Sequence, residues 1–190
     1  MYKKTLVSLL MVLFTGTLIL KGQPTGNSTV DLLMSAYSAR MFTSDPVSDS
    51  DLDLILKCGL KAPSARNGQP WKFTVVRDNA LVAGVISNAT PGNVLILVSG
   101  PESSQQGMNS DFDYALATEN MYIAAQALGL GARIYTGPVS SINSGKKQTL
   151  NIPDGYRVIA VLRVGHVSKD VDASSSASTR KTIEEVVNYR

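Results

Sequence analysis

Two short segments of this chain carry residues that could bind a phosphate group. In Ser38-Ala39-Arg40 a hydroxyl and a guanidinium stand two residues apart. The Arg can form a charge-assisted pair with one phosphate to which the Ser also donates a hydrogen bond. A second cationic pair, Arg180 and Lys181, lies near the end of the chain. Each feature by itself also fits ordinary solvated cations, so the two segments become informative only in combination with others.

A third segment, Pro63-Ser64-Ala65-Arg66-Asn67-Gly68-Gln69-Pro70-Trp71, is suited to close contact with a flat ligand. Prolines at both ends restrict its backbone, and its small residues leave room for a ring. The amides of Asn67 and Gln69 carry both donors and acceptors, which matches the mixed hydrogen-bonding edge of a flavin pyrimidine ring. An ordinary proline-bounded connection between a helix and a strand has the same composition, so composition alone leaves both interpretations open.

Side chains that could perform catalysis by themselves are scarce. His166 is the only histidine and follows an apolar stretch with no acidic neighbour, which argues against a Ser-His-Asp triad. Cys58 is the only cysteine, so no intramolecular disulfide can form. Its place after Leu52, Ile55 and Leu56 predicts a buried core thiol. No acidic cluster has the pattern of a zinc site, so we predict no metal ligand. The chain also offers no candidate pair of nucleophile and base, so we name no catalytic side chain. Such a protein either performs no chemistry or takes it from a cofactor.

The length and charge of the chain indicate one globular domain without affinity for nucleic acid. Its 190 residues are enough for a single core and few for two. Three lysines lie within the first 23 residues, which hold no acidic residue, and the rest of the chain carries fifteen basic and fifteen acidic side chains. A nearly neutral domain offers no cationic surface for nucleic acid.

The N-terminus has the pattern of an export signal. Lys3 and Lys4 precede an apolar stretch over residues 6–20, which is shorter than the roughly 18–20 residues that a membrane-spanning helix needs. We predict a signal peptide over residues 1–23, cleaved after Gly22 or Gln23, and a single domain over residues 28–190. The protein would be exported, in a bacterium to the periplasm. The alternatives are an uncleaved membrane anchor and a buried N-terminal helix.

Hydrophobic periodicity and capping residues predict the elements that must position these segments. Ser28-Thr29-Val30-Asp31 and Ser48-Asp49-Ser50-Asp51 have the form of capping boxes that open the first two helices. The longest helix is predicted with one stripe of Leu116, Asn120, Ile123, Ala124 and Ala127, and its alanines favour close packing on another helix. The mixed order of elements indicates an α+β sandwich with helices over a sheet. Helices are predicted over residues 28–36, 49–61, 81–86, 111–128 and 182–187, strands over 71–76, 93–99, 132–135 and 156–164, and surface loops over 103–110 and 171–179.

Four separated motifs together resemble the nitroreductase family of flavoproteins. Ser38-x-Arg40-x-Phe42, followed by Ala62-Pro63-Ser64-Ala65-x-Asn67-x-Gln69-Pro70-Trp71, is similar in order and spacing to the opening of that family. Glu119-Asn120 before Ala124-Ala125-x-Ala127-Leu128-Gly129-Leu130-Gly131 resembles its central helix and the glycine exit of that helix. Arg180-Lys181-Thr182-Ile183-Glu184-Glu185-Val186-Val187 resembles its C-terminal arm. The resemblance spans about residues 30–187.

The resemblance implies an intertwined homodimer with a mainly antiparallel central sheet, flanked by helices, and FMN bound between the two chains. Ser38 and Arg40 would hold the phosphate end of FMN, joined by Arg180 and assisted by Lys181. The partner's loop would line the isoalloxazine, and a backbone N–H after the strand at 132–135 would lie near the flavin N5 atom. Carried over position by position, the cofactor-binding residues are Ser38, Arg40, Pro63, Ser64, Ala65, Asn67, Gln69, Thr136, Gly137, Arg180 and Lys181.

Two departures from the family pattern bear on these expectations. The family commonly has an additional Arg two residues before the Ser, where this chain has Ala36. Phosphate binding would then depend on Arg40 and Arg180. The chain also has little sequence between the strand at 71–76 and the long helix, where larger members insert a helical region that shapes the substrate pocket. The substrates of those larger members therefore do not transfer to this chain.

The implied chemistry is that of the flavin. NAD(P)H would deliver hydride to N5, leave, and be replaced on the same face by a nitroaromatic or a quinone, and such ping-pong transfer needs no GxGxxG motif. Arg40 would supply positive charge near N1 and O2 of the reduced ring. Two alternatives on the same fold stay open: flavin remodelling or reductive dehalogenation of a small aromatic, and an exported flavin-binding protein with little turnover, which Ala36 favours. Export would also separate the protein from cytosolic NAD(P)H and require another electron donor.

Overall fold

The structure of the protein is a computed structural model that describes residues 24–103, 110–168 and 179–190. The predicted export signal lies outside these residues. So do the middle of the predicted loop at 103–110 and most of the predicted loop at 171–179. Across the part of the chain that is described, no helix combines the length and the hydropathy needed to cross a bilayer.

A four-stranded antiparallel sheet forms the centre of the molecule. Its strands are β1 (Lys72–Val76), β2 (Val94–Pro101), β3 (Gly131–Tyr135) and β4 (Tyr156–Gly165), in the order β1-β2-β4-β3. The two central strands, β2 and β4, are buried on both faces over most of their length, which explains why their sequences are nearly continuous apolar runs. The predicted α+β architecture with an antiparallel sheet is confirmed.

Helices cover both faces of this sheet. The structure has α1 (Ser28–Ser35), α2 (Asp49–Leu60), α3 (Asn79–Val85), α4 (Ser110–Ala127), α5 (Val139–Gly145) and α6 (Ile183–Val186). Helices α2 and α4 share one apolar core with alternate residues of β2, and α3 and α5 share a second core on the opposite face. Sequence patterns did not predict α5, because its Ser-rich sequence VSSINSG has low helix propensity and its N-terminus has no side-chain cap.

The first two helices begin at capping residues, as expected, but one cap is shifted. Ser48 Oγ accepts from Asp51 N at 3.0 Å at the start of α2, which confirms the prediction there. Helix α1 is instead capped by Asn27, whose Oδ1 accepts from Thr29 N and Val30 N, both at 3.1 Å. The prediction of Ser28 as the cap was therefore wrong by one residue, because an Asn immediately before it satisfies the same orphan donors.

The packing face of α4 differs from the predicted stripe. Its buried residues include Tyr114, Ala117, Met121 and Ala125, whereas the predicted stripe at 116, 120, 123, 124 and 127 is only partly buried or exposed. Small side chains surround the whole helix, so its sequence pattern defines no single face. Close contact with α2 occurs at Gly59, where an added Cβ would lie 2.7 Å from Met121 Cγ.

Cys58 lies next to this contact but outside the core. It is exposed, so the prediction of a buried core thiol was wrong. Successive helical residues are rotated by about 100°, and in α2 it is Gly59, with Leu52 and Ile55, that faces the core.

Candidate functional site

The segment 38–42 crosses the end of the sheet in an extended conformation. Ala39 N donates to Ala132 O on β3 at 3.0 Å, and Thr43 N donates to His166 O just after β4 at 2.8 Å. Ala39 is 1% exposed, whereas Ser38 and Arg40 on either side of it are exposed. Because alternate residues of an extended chain share a side, the hydroxyl and the guanidinium lie on the outer side together. Within the segment, the predicted phosphate-binding pair is therefore accessible.

Two glycines of the sheet make room for this crossing. Gly131 and Gly165 are direct partners across β3 and β4. A Cβ on Gly131 would lie 2.2 Å from Val167 Cγ1 and 2.9 Å from Ala39 Cβ, and one on Gly165 would lie 2.9 Å from the Phe42 ring. Side chains at these two positions would push the crossing segment away from the sheet.

The loop 63–71 adopts a compact conformation with unusual backbone angles. A single 3-10 turn, Ala65–Asn67, occupies its middle, and Arg66, Asn67 and Gln69 have φ angles of 53°, 54° and 44°. Three left-handed L-residues within four positions store strain, which persists only where surrounding contacts hold the backbone. Such strain is concentrated at ligand-binding sites, so the loop is favoured as part of the functional site.

Hydrogen bonds within the loop hold its polar residues together. Gln69 N donates to Ser64 Oγ at 3.0 Å, and Gln69 Nε2 donates to Asn67 Oδ1 at 3.2 Å. The two amides that were expected to face a ligand thus contact each other in the single chain. Asn67 remains exposed, as do the neighbouring residues Pro63 and Ala65.

A buried carboxylate on α4 fixes the loop to the body of the protein. Asp113 is 5% exposed, and its Oδ1 accepts from Ala65 N at 3.1 Å. Sequence reasoning did not select this residue, because an acid in the first turn of a helix is expected simply to complement the helix dipole. Only the fold shows that this carboxylate satisfies a backbone donor 48 residues away.

The two segments are attached to opposite ends of α4. Tyr37 N, next to Ser38, donates to Gln126 Oε1 at 3.0 Å in the last turn, whereas Ala65 is bonded to Asp113 in the first. At 1.5 Å per residue these two anchors are about 20 Å apart along the helix. The single chain therefore does not bring Ser38 and Arg40 into one site with the loop.

Thr136 and Gly137 follow β3, the strand on which Ala39 is fixed. Both are exposed, and a Cβ on Gly137 would meet no atom within 4 Å. Among the described residues, none accepts a hydrogen bond from Gly137 N. Thr136 lies four residues beyond Ala132, or about 13 Å along the strand. The Ser38–Arg40 pair therefore lies beside the start of β3, and the accessible N–H of Gly137 lies just beyond its end.

The C-terminal segment 179–190 carries Arg180 and Lys181 on an exposed stretch of chain. Every residue of this segment is exposed. Helix α6 is held by its own cap, in which Thr182 N donates to Glu185 Oε2 at 2.7 Å. A hydrogen bond from its own backbone N–H, with a second from Thr182, lowers the pKa of Glu184. The segment has local order, but its apolar side chains are not buried in its own chain.

Glu119 and Asn120 lie on α4 between the two anchors. Asn120 Nδ2 donates to the carbonyl of Cys58 at 3.2 Å, which joins α4 to the end of α2. Partial burial raises the pKa of Glu119 through desolvation. Asn120 therefore has a structural role within this chain. Among the described acids of α4, Glu119 is the one whose charged form is disfavoured by folding. In the described ranges no three His, Cys, Asp or Glu side chains gather as a metal site requires.

Comparisons with known proteins match both the sequence and the fold to one family. The family model described as the nitroreductase family matches residues 33–90 and 89–166. A protein of Archaeoglobus fulgidus, provisionally named an NADH dehydrogenase/NAD(P)H nitroreductase, is 30% identical over 151 residues, which cover 74% of this chain and 86% of that protein.

Two solved structures share the fold at comparable identity. An FMN-dependent nitroreductase from Clostridium difficile is 26% identical with a TM-score of 0.68, and the match covers 86% of this chain and all of the other. A nitroreductase from Desulfovibrio desulfuricans, solved in complex with FMN, is 26% identical with a TM-score of 0.73, and the match covers 86% of this chain and 97% of the other. The family model alone spans well over half of the sequence. The chain belongs to the nitroreductase family.

Proposed function

We propose that this protein is an FMN-dependent oxidoreductase that transfers electrons from NAD(P)H to small electron-poor acceptors such as nitroaromatics and quinones. The observation that carries the proposal is the arrangement along β3. An accessible Ser38–Arg40 pair is fixed beside Ala132, and an accessible Gly137 N–H follows the end of the same strand. The family membership and the FMN present in the Desulfovibrio desulfuricans structure support this assignment.

The residues of the chain fit FMN in the chemistry of their donors. Arg40 and Ser38 suit the phosphate, as a charge-assisted pair and a neutral donor on one side of an extended backbone. Gly137 lacks a side chain where a flat ring must approach the backbone, and its N–H has no partner among the described residues. The strained loop 63–71 presents further polar groups in a fixed shape.

A homodimer would complete this site. Within one chain the loop and the Ser38–Arg40 pair are anchored about 20 Å apart on α4, so a ligand that contacts both needs the loop of a second copy. Exposed apolar side chains are available for such an interface. Leu33 and Met34 on α1 are 52% and 76% exposed, and Ile183 and Val186 on α6 are also exposed. The same interface would carry Arg180 and Lys181 to the phosphate.

Bound FMN would supply the redox chemistry, accepting a hydride from the reduced nicotinamide and passing two electrons to the acceptor. The chain would contribute positions and charges. Gly137 N–H would donate to N5 of the ring, the atom at which the hydride arrives. Arg40 would stabilise the negative charge of the FMN phosphate. The loop, held by Asp113, would exclude water from one face of the ring.

Ala36 supports a second candidate function, an exported flavin-binding protein with little turnover. This position, where the family resemblance implies an Arg, is the C-cap of α1 and provides no charge. We also propose export with removal of residues 1–23, which the N-terminal mass of the protein in its native host would test. A remaining N-terminus at Met1 would contradict cleavage.

Flavin spectroscopy separates these functions. Purified protein should show bound-flavin absorbance after incubation with FMN, and NADH or NADPH should bleach it under anaerobic conditions. A panel of nitroaromatics, quinones and aryl halides should then restore the oxidised spectrum with the first two classes. Bound flavin that neither nucleotide bleaches would favour the binding function. Protein that takes up no FMN would contradict both functions.

A further inference from the structure

Arg163 is a buried cation without a carboxylate partner in the described part of the chain. It lies near the end of β4, is 2% exposed, and takes part in none of the ion pairs found among the described residues. Its direct partner on β3 is Arg133, a second cation. Burial of a charge without a counter-charge is unfavourable, and so are like charges opposite each other in a sheet. Its contribution to stability therefore does not account for its presence.

Among the described residues, Arg163 contacts the groups that hold the segment next to Arg40. Its Nε donates to Asn93 Oδ1 at 2.7 Å and its Nη2 donates to Thr90 Oγ1 at 3.3 Å. Its guanidinium carbon lies 4.0 Å from the centre of the Phe42 ring, a cation–π contact. In turn, Thr90 Oγ1 donates to Phe42 O at 3.4 Å and Asn93 Nδ2 donates to Thr43 O at 3.3 Å.

The chemistry of an Arg side chain gives these bonds their direction. A guanidinium only donates, so Asn93 must turn its oxygen toward Arg163 and its NH2 group toward the carbonyl of Thr43. Thr90 must likewise accept from Arg163, which leaves its hydroxyl proton for the carbonyl of Phe42. One buried cation thus orients two neutral side chains as donors toward consecutive backbone carbonyls.

We infer that Arg163 is a positioning residue for the phosphate-binding segment and thereby sets the affinity for FMN. Arg40 stands between two fixed points, Ala39 on β3 and the Phe42–Thr43 carbonyls held through Arg163. Loss of the two carbonyl bonds leaves this side of Arg40 held by the Thr43 N to His166 O bond and the Phe42–Val167 bridge, so its backbone becomes less ordered. An ordered guanidinium loses affinity when its backbone moves. The inference rests on the proposed FMN function but concerns a buried residue that would act through the backbone rather than by contact with the cofactor.

Three variants test this role, Arg163→Met, Thr90→Val and, as control, Arg77→Met. Arg77 also donates to a backbone carbonyl, that of Val47 at 3.2 Å, and its substitution removes the same charge away from residues 42–43. Loss of the directed bonds should raise the FMN Kd about tenfold in Arg163→Met and about threefold in Thr90→Val, with Arg77→Met within about twofold of the parent. Quenching of flavin fluorescence measures these constants.

A second readout on the FMN-free protein is independent of the proposed function. Hydrogen exchange of the backbone over residues 39–43 should quicken in Arg163→Met and Thr90→Val, while exchange over 64–71 stays unchanged. Arg163→Met removes the cost of a buried charge but leaves the buried Asn93 Oδ1 without its donor. Because these two effects oppose each other, the FMN Kd should rise without a matching fall in thermal stability.

The outcomes are distinct. Faster exchange at 39–43 together with weaker FMN binding supports the inference. If Arg163→Met does not fold, the same two measurements on Thr90→Val decide the question. Unchanged exchange and unchanged Kd, in a parent protein that binds FMN, would overturn it. A parent protein that binds no FMN contradicts the proposed function and with it the effect on affinity, while the exchange data still decide whether Arg163 orders residues 39–43.

Discussion

The loop 63–71 and the segment 38–42 are held in place by different means. In the loop, three L-residues adopt left-handed backbone angles, and one buried carboxylate, Asp113, connects it to α4. The segment 38–42 is extended, lies on two sheet glycines, and is held by bonds from β3, from the residue after β4 and from the network of Arg163. The loop thus owes its shape to local strain, whereas the segment owes its position to contacts with distant residues.

This difference predicts which substitutions affect which half of the site. A strained loop relaxes when its one connection to the body is cut, because strain persists only under constraint. An extended segment with several connections shifts only when the surface beneath it changes or when the network that orients its carbonyls is lost. Each half can therefore be perturbed separately, and each perturbation has a natural control in the same chain.

Filling the space beneath the segment should have the largest effect. Gly131→Ala places a Cβ 2.2 Å from Val167 and 2.9 Å from Ala39, and such overpacking costs about 1–3 kcal/mol. The free energy of unfolding, measured by urea titration, should fall by about that amount, and FMN affinity should fall with it. Gly84→Ala on α3, where an added Cβ meets nothing within 4 Å, should be neutral or stabilising. Equal effects of the two substitutions would show that the segment does not need the glycine.

Cutting the connection of the loop should have the next largest effect. Asp113→Ala leaves the Ala65 N–H without its buried acceptor and should lower the free energy of unfolding by about 2 kcal/mol. Exchange of the amides over 64–69 should quicken while that over 38–43 stays constant. Asp111→Ala is the matched control, because this neighbouring acid forms an exposed pair with Arg157 that contributes less than about 1 kcal/mol. If exchange in Asp113→Ala quickens over 38–43 and not over 64–69, the loop and the segment are not held independently.

Removing the exposed side chains of the segment should change affinity but not stability. We expect Arg40→Ala to raise the FMN Kd by roughly tenfold or more and Ser38→Ala by about threefold, since hydrogen bonds to charged groups are worth more when the donor is also charged. Both variants should unfold at the temperature of the parent, because neither side chain is buried. Lys57→Ala, which removes a cation from an exposed pair on α2, is the control. If Arg40→Ala binds FMN with the parental Kd, this segment does not bind the phosphate.

The smallest predicted effect is a pH dependence of the free energy of unfolding. It is caused by Glu119, which lies on α4 about midway between Asp113 and Gln126. Burial raises the pKa of Glu119 above its value in the unfolded chain, so the folded state prefers the protonated acid. The corresponding stability is present below the ordinary carboxyl pKa and is lost as the pH rises through the raised pKa. Relative to the parent, Glu119→Gln should therefore gain stability as the pH increases from about 4 toward 7.

Glu184 supplies the control of opposite sign. Hydrogen bonds from its own backbone and from Thr182 lower its pKa, so its contribution is present above the ordinary carboxyl pKa and is lost as the pH falls through the lowered one. Glu184→Gln should lose stability at neutral pH, where Glu119→Gln gains it. Denaturant unfolding of the three proteins across this pH range measures both trends, and parallel curves would contradict the assignment for Glu119.

The sequence predicts the elements better than it predicts the residues that hold the site. Continuous apolar runs located β2 and β4, and Ser48 located the start of α2, because burial and capping are local demands on sequence. The packing face of α4 and the exposure of Cys58 were missed, since small residues surround α4 and a rotation of one residue decides which side of α2 is buried.

The candidate site shows the same limit. Ser38, Arg40 and the loop stood out because of their types and spacing, and the structure leaves Ser38 and Arg40 accessible on one side of their segment. Asp113 and Arg163 did not stand out, although a lone Arg within the apolar run VLRVG is a signal that a buried charge needs partners. Their partners lie 48 and about 70 residues away, and no local pattern specifies which backbone such a side chain will hold.

Subunit complementation tests the composite site most directly. Differently tagged Arg40→Ala and Asp113→Ala chains are co-expressed, the mixed dimer is purified through both tags, and FMN is titrated at concentrations just above the parental Kd. If each site combines the segment of one chain with the loop of the other, one site is doubly damaged and the other is intact. We expect Asp113→Ala in both chains to weaken FMN binding about tenfold, as Arg40→Ala does, and titration of the two parent variants checks this first. The mixed dimer should then bind about one FMN per two chains with parental affinity. A mixed dimer with no site of parental affinity would show that segment and loop act within one chain, and would contradict the composite site.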